Sequence, residues 1–263
     1  MDLGLRGKVA LVAAASAGLG RAVALELARE GAHVCICARR HEALEAARAD
    51  IAARTGANVH AVAADVTNRD DIARVTTEAA ERFGPVDILV TNAGGPPAGP
   101  FESHAWDVWQ RAVELNLRSA VEMTRAVLPG MRAKKWGRVL HVTSIAVKQP
   151  VDNLILSNSI RSAVTGFARS LANEVATDGI TVNCLMPGYT RTERVEELAD
   201  ATAKRDGLTR ADIMARFEKE IPMRRLGEVE EFAALAAFLA SDRASYITAQ
   251  SIAVDGGWIR ALL

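Results

Sequence analysis

Short apolar runs alternate with helix-length amphipathic stretches along nearly all 263 residues. That rhythm predicts an α/β fold: a doubly wound parallel sheet of about seven strands flanked by helices. Two further observations narrow it. The runs are apolar on both faces, as strands inside a parallel sheet must be, and Val34-Cys35-Ile36-Cys37 shows this best. No Pro/Ser-rich linker, charge block or internal repeat interrupts the pattern, so 1–263 reads as a single domain. A hydrophobic content of 49 % is enough for one large core.

Strands are expected at 9–12, 33–38, 59–64, 87–91, 137–142, 181–185 and 251–254. Helices are expected at 19–30, ended by Gly31, at 41–53, ended near Gly56, and at 69–82, closed by Gly84-Pro85. A long helix is expected from 106 to about 128, and others at 157–177 and 228–240, each with apolar residues at helical spacing. The segment 92–100 is a turn-rich loop. Residues 190–218 are long, charged and irregular, with two helical pieces, which suits a lid over a site. Leu198, Leu208, Ile213, Met214 and Phe217 would form its apolar underside.

Composition excludes several classes. Net charge is zero, so nothing marks a nucleic-acid partner. No apolar segment reaches membrane-spanning length and the start lacks a signal-peptide pattern, so no membrane partner is expected. Three scattered cysteines, Cys35, Cys37 and Cys184, read as reduced buried thiols, and the cytoplasm is the expected location. Five scattered histidines give no metal-ligand spacing, so no metal site is expected.

In such sheets ligands bind beyond the carboxyl ends of the strands. After the first strand comes Ala14-x-x-x-Gly18-x-Gly20, a small-residue turn opening a helix. Gly18 lets a turn approach a phosphate and Gly20 lets the helix pack on the strand, although packing alone also explains such a turn. After the second strand stand Arg39 and Arg40, where a carboxylate for ribose hydroxyls would otherwise sit. Arginines there pair with a 2'-phosphate, which favours NADP over NAD; otherwise they are solvated loop residues. Asp65 either accepts from an adenine amine or caps a turn. Asn92 with Gly94 forms a close-approach loop or an Asx turn. Asn116 is polar in an apolar part of its helix, facing a site or satisfying backbone. Ser144 ends the fifth strand, placed for a substrate oxygen or for a cap. Ser157 and Arg161 share one helix face. A buried Arg161 needs an anion, from a cofactor or from an internal carboxylate such as Glu174 or Asp178.

These residues together resemble the short-chain dehydrogenase/reductase family, a Rossmann-like fold, over nearly the whole chain, and within it proteins labelled 3-oxoacyl-(acyl-carrier-protein) reductase. The family's T-G-x-x-x-G-x-G falls on Ala13 to Gly20, its Asp-Val pair on Asp65-Val66 and its N-A-G loop on Asn92-Ala93-Gly94. Its helix asparagine falls on Asn116, its serine on Ser144, its P-G on Pro187-Gly188, and its nicotinamide-side threonine on Thr192. A closing G-x-x-x-x-V-D-G-G matches Ala249 to Gly257, with alanine first. The resemblance implies a cofactor site including Ala14, Ser16, Gly18, Leu19, Gly20, Ala93 and Arg161. It also implies carbonyl–alcohol chemistry on a small molecule and a homotetramer, with the apolar end Trp258 to Leu263 available for contacts. The family's Y-x-x-x-K falls on Ser157 to Arg161. Serine is a poor acid and arginine holds its proton. The proton is then expected through water on Asn116 or Ser157, or from Tyr189 just past Pro187-Gly188. A binding protein of this fold without turnover is the alternative.

Overall fold

The computed structural model describes residues 1–262. Seven strands form one sheet: β1 Val9–Ala13, β2 His33–Ala38, β3 Val59–Ala63, β4 Ile88–Thr91, β5 Gly137–Val142, β6 Ile180–Pro187 and β7 Ser251–Val254. Their order is β3-β2-β1-β4-β5-β6-β7, and every neighbouring pair is parallel. Chain direction through the sheet reverses between β1 and β4, which opens a groove beyond their carboxyl ends.

Helices cover both faces because each strand buries alternate side chains on opposite sides. Ala10 and Val12 pack with α1 Gly18–Arg29, α2 His41–Thr55 and, from the far end of the chain, α9 Val229–Ala240. Val9, Leu11 and Ala13 face the other layer, built from α3 Arg69–Phe83, α5 Ser119–Lys134 and α6 Ile155–Val175. The local chemistry agrees with these boundaries. Asn68 caps α3 by accepting from the Asp70 N–H, and Gly56 closes α2 in the left-handed region at φ 68°.

One expected element differs, and the two helical pieces expected in 190–218 are both present. The single helix expected at 106–128 is α4 Trp106–Ala112, a π-helical turn Val113–Arg118, and α5, which runs through Pro129 to Lys134. Proline removes one backbone bond, but Val127 and Met131 are buried on either side of it, and that packing carries the helix on. The irregular 190–218 stretch is two helices, α7 Glu193–Asp206 and α8 Arg210–Glu220, turned by Gly207 and started by a Thr209–Asp212 capping box. Ala199, Ala203, Ile213 and Phe217 give this pair its own small core, with Leu198 and Met214 packed against it. Leu208, expected in that underside, is half exposed instead, because it comes directly after the Gly207 turn. Among the described residues no helix is long and apolar enough to cross a membrane.

Candidate active site

The β1–α1 turn is built on a close approach. A Cβ on Gly20 would lie 2.4 Å from the Ala14 carbonyl oxygen, so only glycine fits. Gly18 has φ 54°, and Ala14 is left-handed too, at φ 50°. Ala249, the alanine opening the last motif, shares that conformation at φ 60°. Each alanine there costs about 1 kcal/mol. Ala17 leads into α1 without a side-chain cap, and the first turn holds no acid, so its N–H groups keep their positive end of the dipole for an anion. Arg39 and Arg40 stand exposed after β2, and the ion pairs nearby are made by Arg21, Arg48 and Arg54 instead. Asp65 serves the turn reading: its Oδ1 accepts from the Thr67 N–H at 2.9 Å and the Thr67 hydroxyl at 2.8 Å. Val66 packs beside it against the α3 layer.

At the ends of β4 and β5 the site is made by side chains. Arg161 is only 8 % exposed. Its Nη1 donates to the carbonyls of Val142 at 2.9 Å and Thr143 at 3.1 Å, and its Nη2 to that of Ala93 at 3.4 Å. Neither internal carboxylate offered by the sequence is its partner: Asp178 is taken by Arg132 and Lys135, and Glu174 is exposed on the outer side of α6. Burial pushes the Arg161 guanidinium down to about 10, and the nearby Arg194 charge pushes the same way. Asn116 lies in the π turn, buried, with Nδ2 donating to Ala112 O at 3.4 Å and Oδ1 without a partner among the described residues. A cavity of about 10 Å³, room for one water, is lined by Asn92, Asn116 and Arg161 among others. Ser144 Oγ accepts from the Ala146 N–H at 3.1 Å, which leaves its own proton free. Ser157 is half buried on the same helix, one turn before Arg161.

The glycine with a packing duty in the next loop is Gly95. A Cβ there would meet the Arg194 guanidinium at 2.8 Å, whereas one on Gly94 meets nothing within 4 Å. Thr192, the first residue before α7, brings its methyl to 3.4 Å from where a Gly18 Cβ would be, so the phosphate turn and the α7 start lie close together. Pro187 ends β6, and Gly188 is tied to Val254 O at 3.0 Å, where a Cβ would strike Asp255.

Tyr189 lies elsewhere. It stacks on Phe217 at 4.3 Å between ring centres and meets Trp258 edge-on. Burial, with Glu220 next, raises its hydroxyl to about 12. It lines a second cavity, of about 210 Å³, with Gln149, Asn153, Thr202, Arg216 and Trp258. Trp258, expected in a free apolar terminus, is therefore buried within its own chain, and Leu263 at the end of that stretch lies outside the described residues. Sequence reasoning passed over Arg194. Its signal was position: two residues past Thr192, on the same helical turn.

A dinucleotide fits these residues. Among the described residues, uncapped N–H groups, unpaired arginines after β2, an orphaned Asn116 oxygen and a buried cation without an anion match phosphate and ribose chemistry. Among the described residues no three His, Cys, Asp or Glu side chains converge as a metal would require.

Comparison with known proteins agrees. Residues 13–259 match the family model described as Enoyl-(Acyl carrier protein) reductase. The chain is 35 % identical over 254 residues to Dehydrogenase/reductase SDR family member 4 of Oryctolagus cuniculus, covering 96 % of this chain and 94 % of that one. It is 36 % identical over 255 residues to the 3-oxoacyl-(acyl-carrier-protein) reductase FabG of Salmonella typhimurium, covering 97 % and 98 %. The crystal structure of L-sorbose reductase from Gluconobacter frateurii, complexed with NADPH and L-sorbose, superposes with a TM-score of 0.94 at 35 % identity over all of both chains. The chain belongs to the short-chain dehydrogenase/reductase family.

Proposed function

We propose that this chain is an NADP(H)-dependent oxidoreductase of carbonyl and alcohol groups, a single domain over 1–263 with α7 and α8 as its lid. The observation that carries this reading is the buried cluster at the ends of β4 and β5. Arg161 is held there by three carbonyls and no carboxylate, beside an Asn116 oxygen with no partner among the described residues. NADP is favoured over NAD because Arg39 and Arg40 stand exposed after β2 without an ion pair among the described residues, and the similar L-sorbose reductase was solved with NADPH.

A reduced nicotinamide, when bound, supplies a hydride to the carbonyl carbon. Ser144 donates a hydrogen bond from its free hydroxyl to the substrate oxygen as negative charge develops there, and keeps its proton. Arg161 stays charged at neutral pH and steadies that charge without giving up a proton. The proton comes from a water held on Asn116 Oδ1 and Ser157, with Tyr189 as a second donor if it leaves its stack on Phe217. The larger cavity takes the substrate's body, and its polar lining suits a small polar ketone better than a long acyl chain.

A second reading, ligand binding without turnover, is favoured by one feature. By the register read from the sequence, Ser157 and Arg161 occupy the places of the family's Tyr and Lys. One experiment separates the two. Fluorescence titration should show saturable binding of NADPH that is tighter than NADH, and a panel of ketones, sugars and 3-oxoacyl thioesters should consume NADPH. Binding with no turnover across the panel supports the second reading; binding of neither nucleotide removes both. Cytoplasmic location is supported by three buried free thiols. Assembly as a homotetramer is supported by Phe101 and Trp106, 68 % and 71 % exposed, and a monomeric mass by light scattering would overturn it.

A further inference from the structure

Arg194 has no duty in the reaction centre, yet it is held in place. It lies in the first turn of α7, two residues after Thr192, which packs on Gly18. Its Nη2 donates to Pro96 O at 3.0 Å, and its guanidinium lies so close on the loop that a Cβ on Gly95 would displace it. Its carboxylate partner among the described residues is Glu197 at 3.4 Å, more than half exposed and three positions along the same helix, a weak pair. Near it is the charge of buried Arg161. Two cations drawn together without a buried carboxylate raise the energy of the site until an anion joins them.

From the opposite wall, the uncapped N–H groups of α1 favour the same sign of ligand. We propose that Arg194 is the second jaw of an anion clamp for the cofactor's diphosphate. The 14–20 turn holds that group from the β1 side, and Arg194 closes on it from α7. The proposal rests on the NADP(H) reading above. Arg39 and Arg40 stand after β2 and answer the 2'-phosphate, which leaves the diphosphate with backbone donors alone unless Arg194 adds its charge. A substrate carboxylate is the competing anion. Arg194 does not line the larger cavity that would hold a substrate, whereas the start of its helix lies beside the phosphate turn.

The test uses the full chain and calorimetric titration with NADPH, and with adenosine 2'-monophosphate measured in competition. The second probe keeps the 2'-phosphate and lacks the diphosphate. R194A should weaken NADPH roughly 10- to 30-fold, as expected for a lost charged hydrogen bond at a half-exposed site, and leave adenosine 2'-monophosphate within about twofold. R194K should recover part of the loss, because a point charge replaces a planar fork. The salt dependence of NADPH affinity should be shallower in R194A. NADPH affinity within twofold of the parent overturns the clamp. Equal weakening of both probes overturns it too, assigning Arg194 to the fold. Unchanged nucleotide binding with a raised KM for ketone gives the residue to the substrate instead. If the parent chain itself binds neither NADPH nor NADH, the cofactor reading fails and the clamp falls with it; that outcome is read on the parent, before any variant.

Discussion

The two ends of the sheet treat buried charge in opposite ways. At the amino end of β5, Arg138 is buried, donates to the carbonyls of Ser241, Gly137 and Gly179, lies over the Trp136 ring, and has Asp242 at 3.7 Å. Beside it Asp87 accepts from Lys134 at 2.7 Å and from the Val9 N–H at 2.9 Å. The strong groups there have their counterparts inside the chain. At the carboxyl end, among the described residues, Arg161 has carbonyls and no carboxylate, Asn116 Oδ1 has nothing, α1 has no cap, and Arg39 and Arg40 have no partners. At one end of the sheet the charged side chains are matched as folded, although the buried Thr181 hydroxyl beside Arg138 has no partner among the described residues. The other is organised for something that the chain does not supply, which is how stability and function are divided between the ends of one strand.

The largest expected effect tests the open end. S157Y with R161K should raise NADPH-dependent ketone turnover by about 100- to 10,000-fold, since a phenol restores a general acid. The gain should exceed the product of the single gains, because the two groups act as one unit; stopped-flow or steady-state kcat on all four forms checks it. A parent that is already fast, and slower as the double variant, would place the acid elsewhere.

Next come the two arginines themselves. R138M strips this network and takes a buried donor from the Ser241 and Gly137 carbonyls, while Asp242 keeps Trp136 Nε1, so urea unfolding should show a loss of about 2–3 kcal/mol. R161M also leaves carbonyls unpaired, but it removes an uncompensated cation. Its stability should change by only about 1 kcal/mol while NADPH binding is lost. Equal destabilisation by both would dissolve the contrast between the ends.

Between them on β5 lies His141, fully buried, its Nδ1 2.7 Å from Thr91 Oγ1 and its ring against Phe167. Burial lowers it from 6.5 to about 4. The unfolded chain therefore takes up this proton first, so stability is full above pH 6.5 and falls as pH drops toward 4, by about 3 kcal/mol in all. Denaturation midpoints between pH 7 and 4 should decline more steeply for the parent than for H141F. Smallest is A14G, which relieves the left-handed alanine at the open end: about 0.5–1 kcal/mol of added stability, or roughly 2 °C in Tm by calorimetry.

Sequence pattern revealed the sheet because buried parallel strands and amphipathic helices are written in local periodicity. Strands 33–38, 137–142 and 251–254 coincide with β2, β5 and β7. Gly20 was legible as well, since a glycine opening a helix after a strand has few other reasons to be there. What depends on distant chain was not. The partners of Arg161 are carbonyls 18 to 68 residues away, so no carboxylate in its own helix could predict them. Gly95 rather than Gly94 bears the packing because of Arg194, 98 positions beyond the Pro96 carbonyl it binds. The π turn left no mark, since α and π turns use the same residues; only an asparagine among apolar neighbours hinted at it.

That π turn also sets a phase. A turn of Val113–Arg118 type holds one residue more than α-helical register allows, and each such residue rotates the downstream helix by about 100°. Trp106–Ala112 and Ser119–Lys134 are thus one continuous helical rod read in two phases, with the change of phase placed at the π turn. Its reversal needs a deletion, not a substitution, and would swing Asn116 off the wall it shares with Arg161. A point-mutation scan would pass over this dependence, because the groove is held open here by a count of residues and not by the identity of any one.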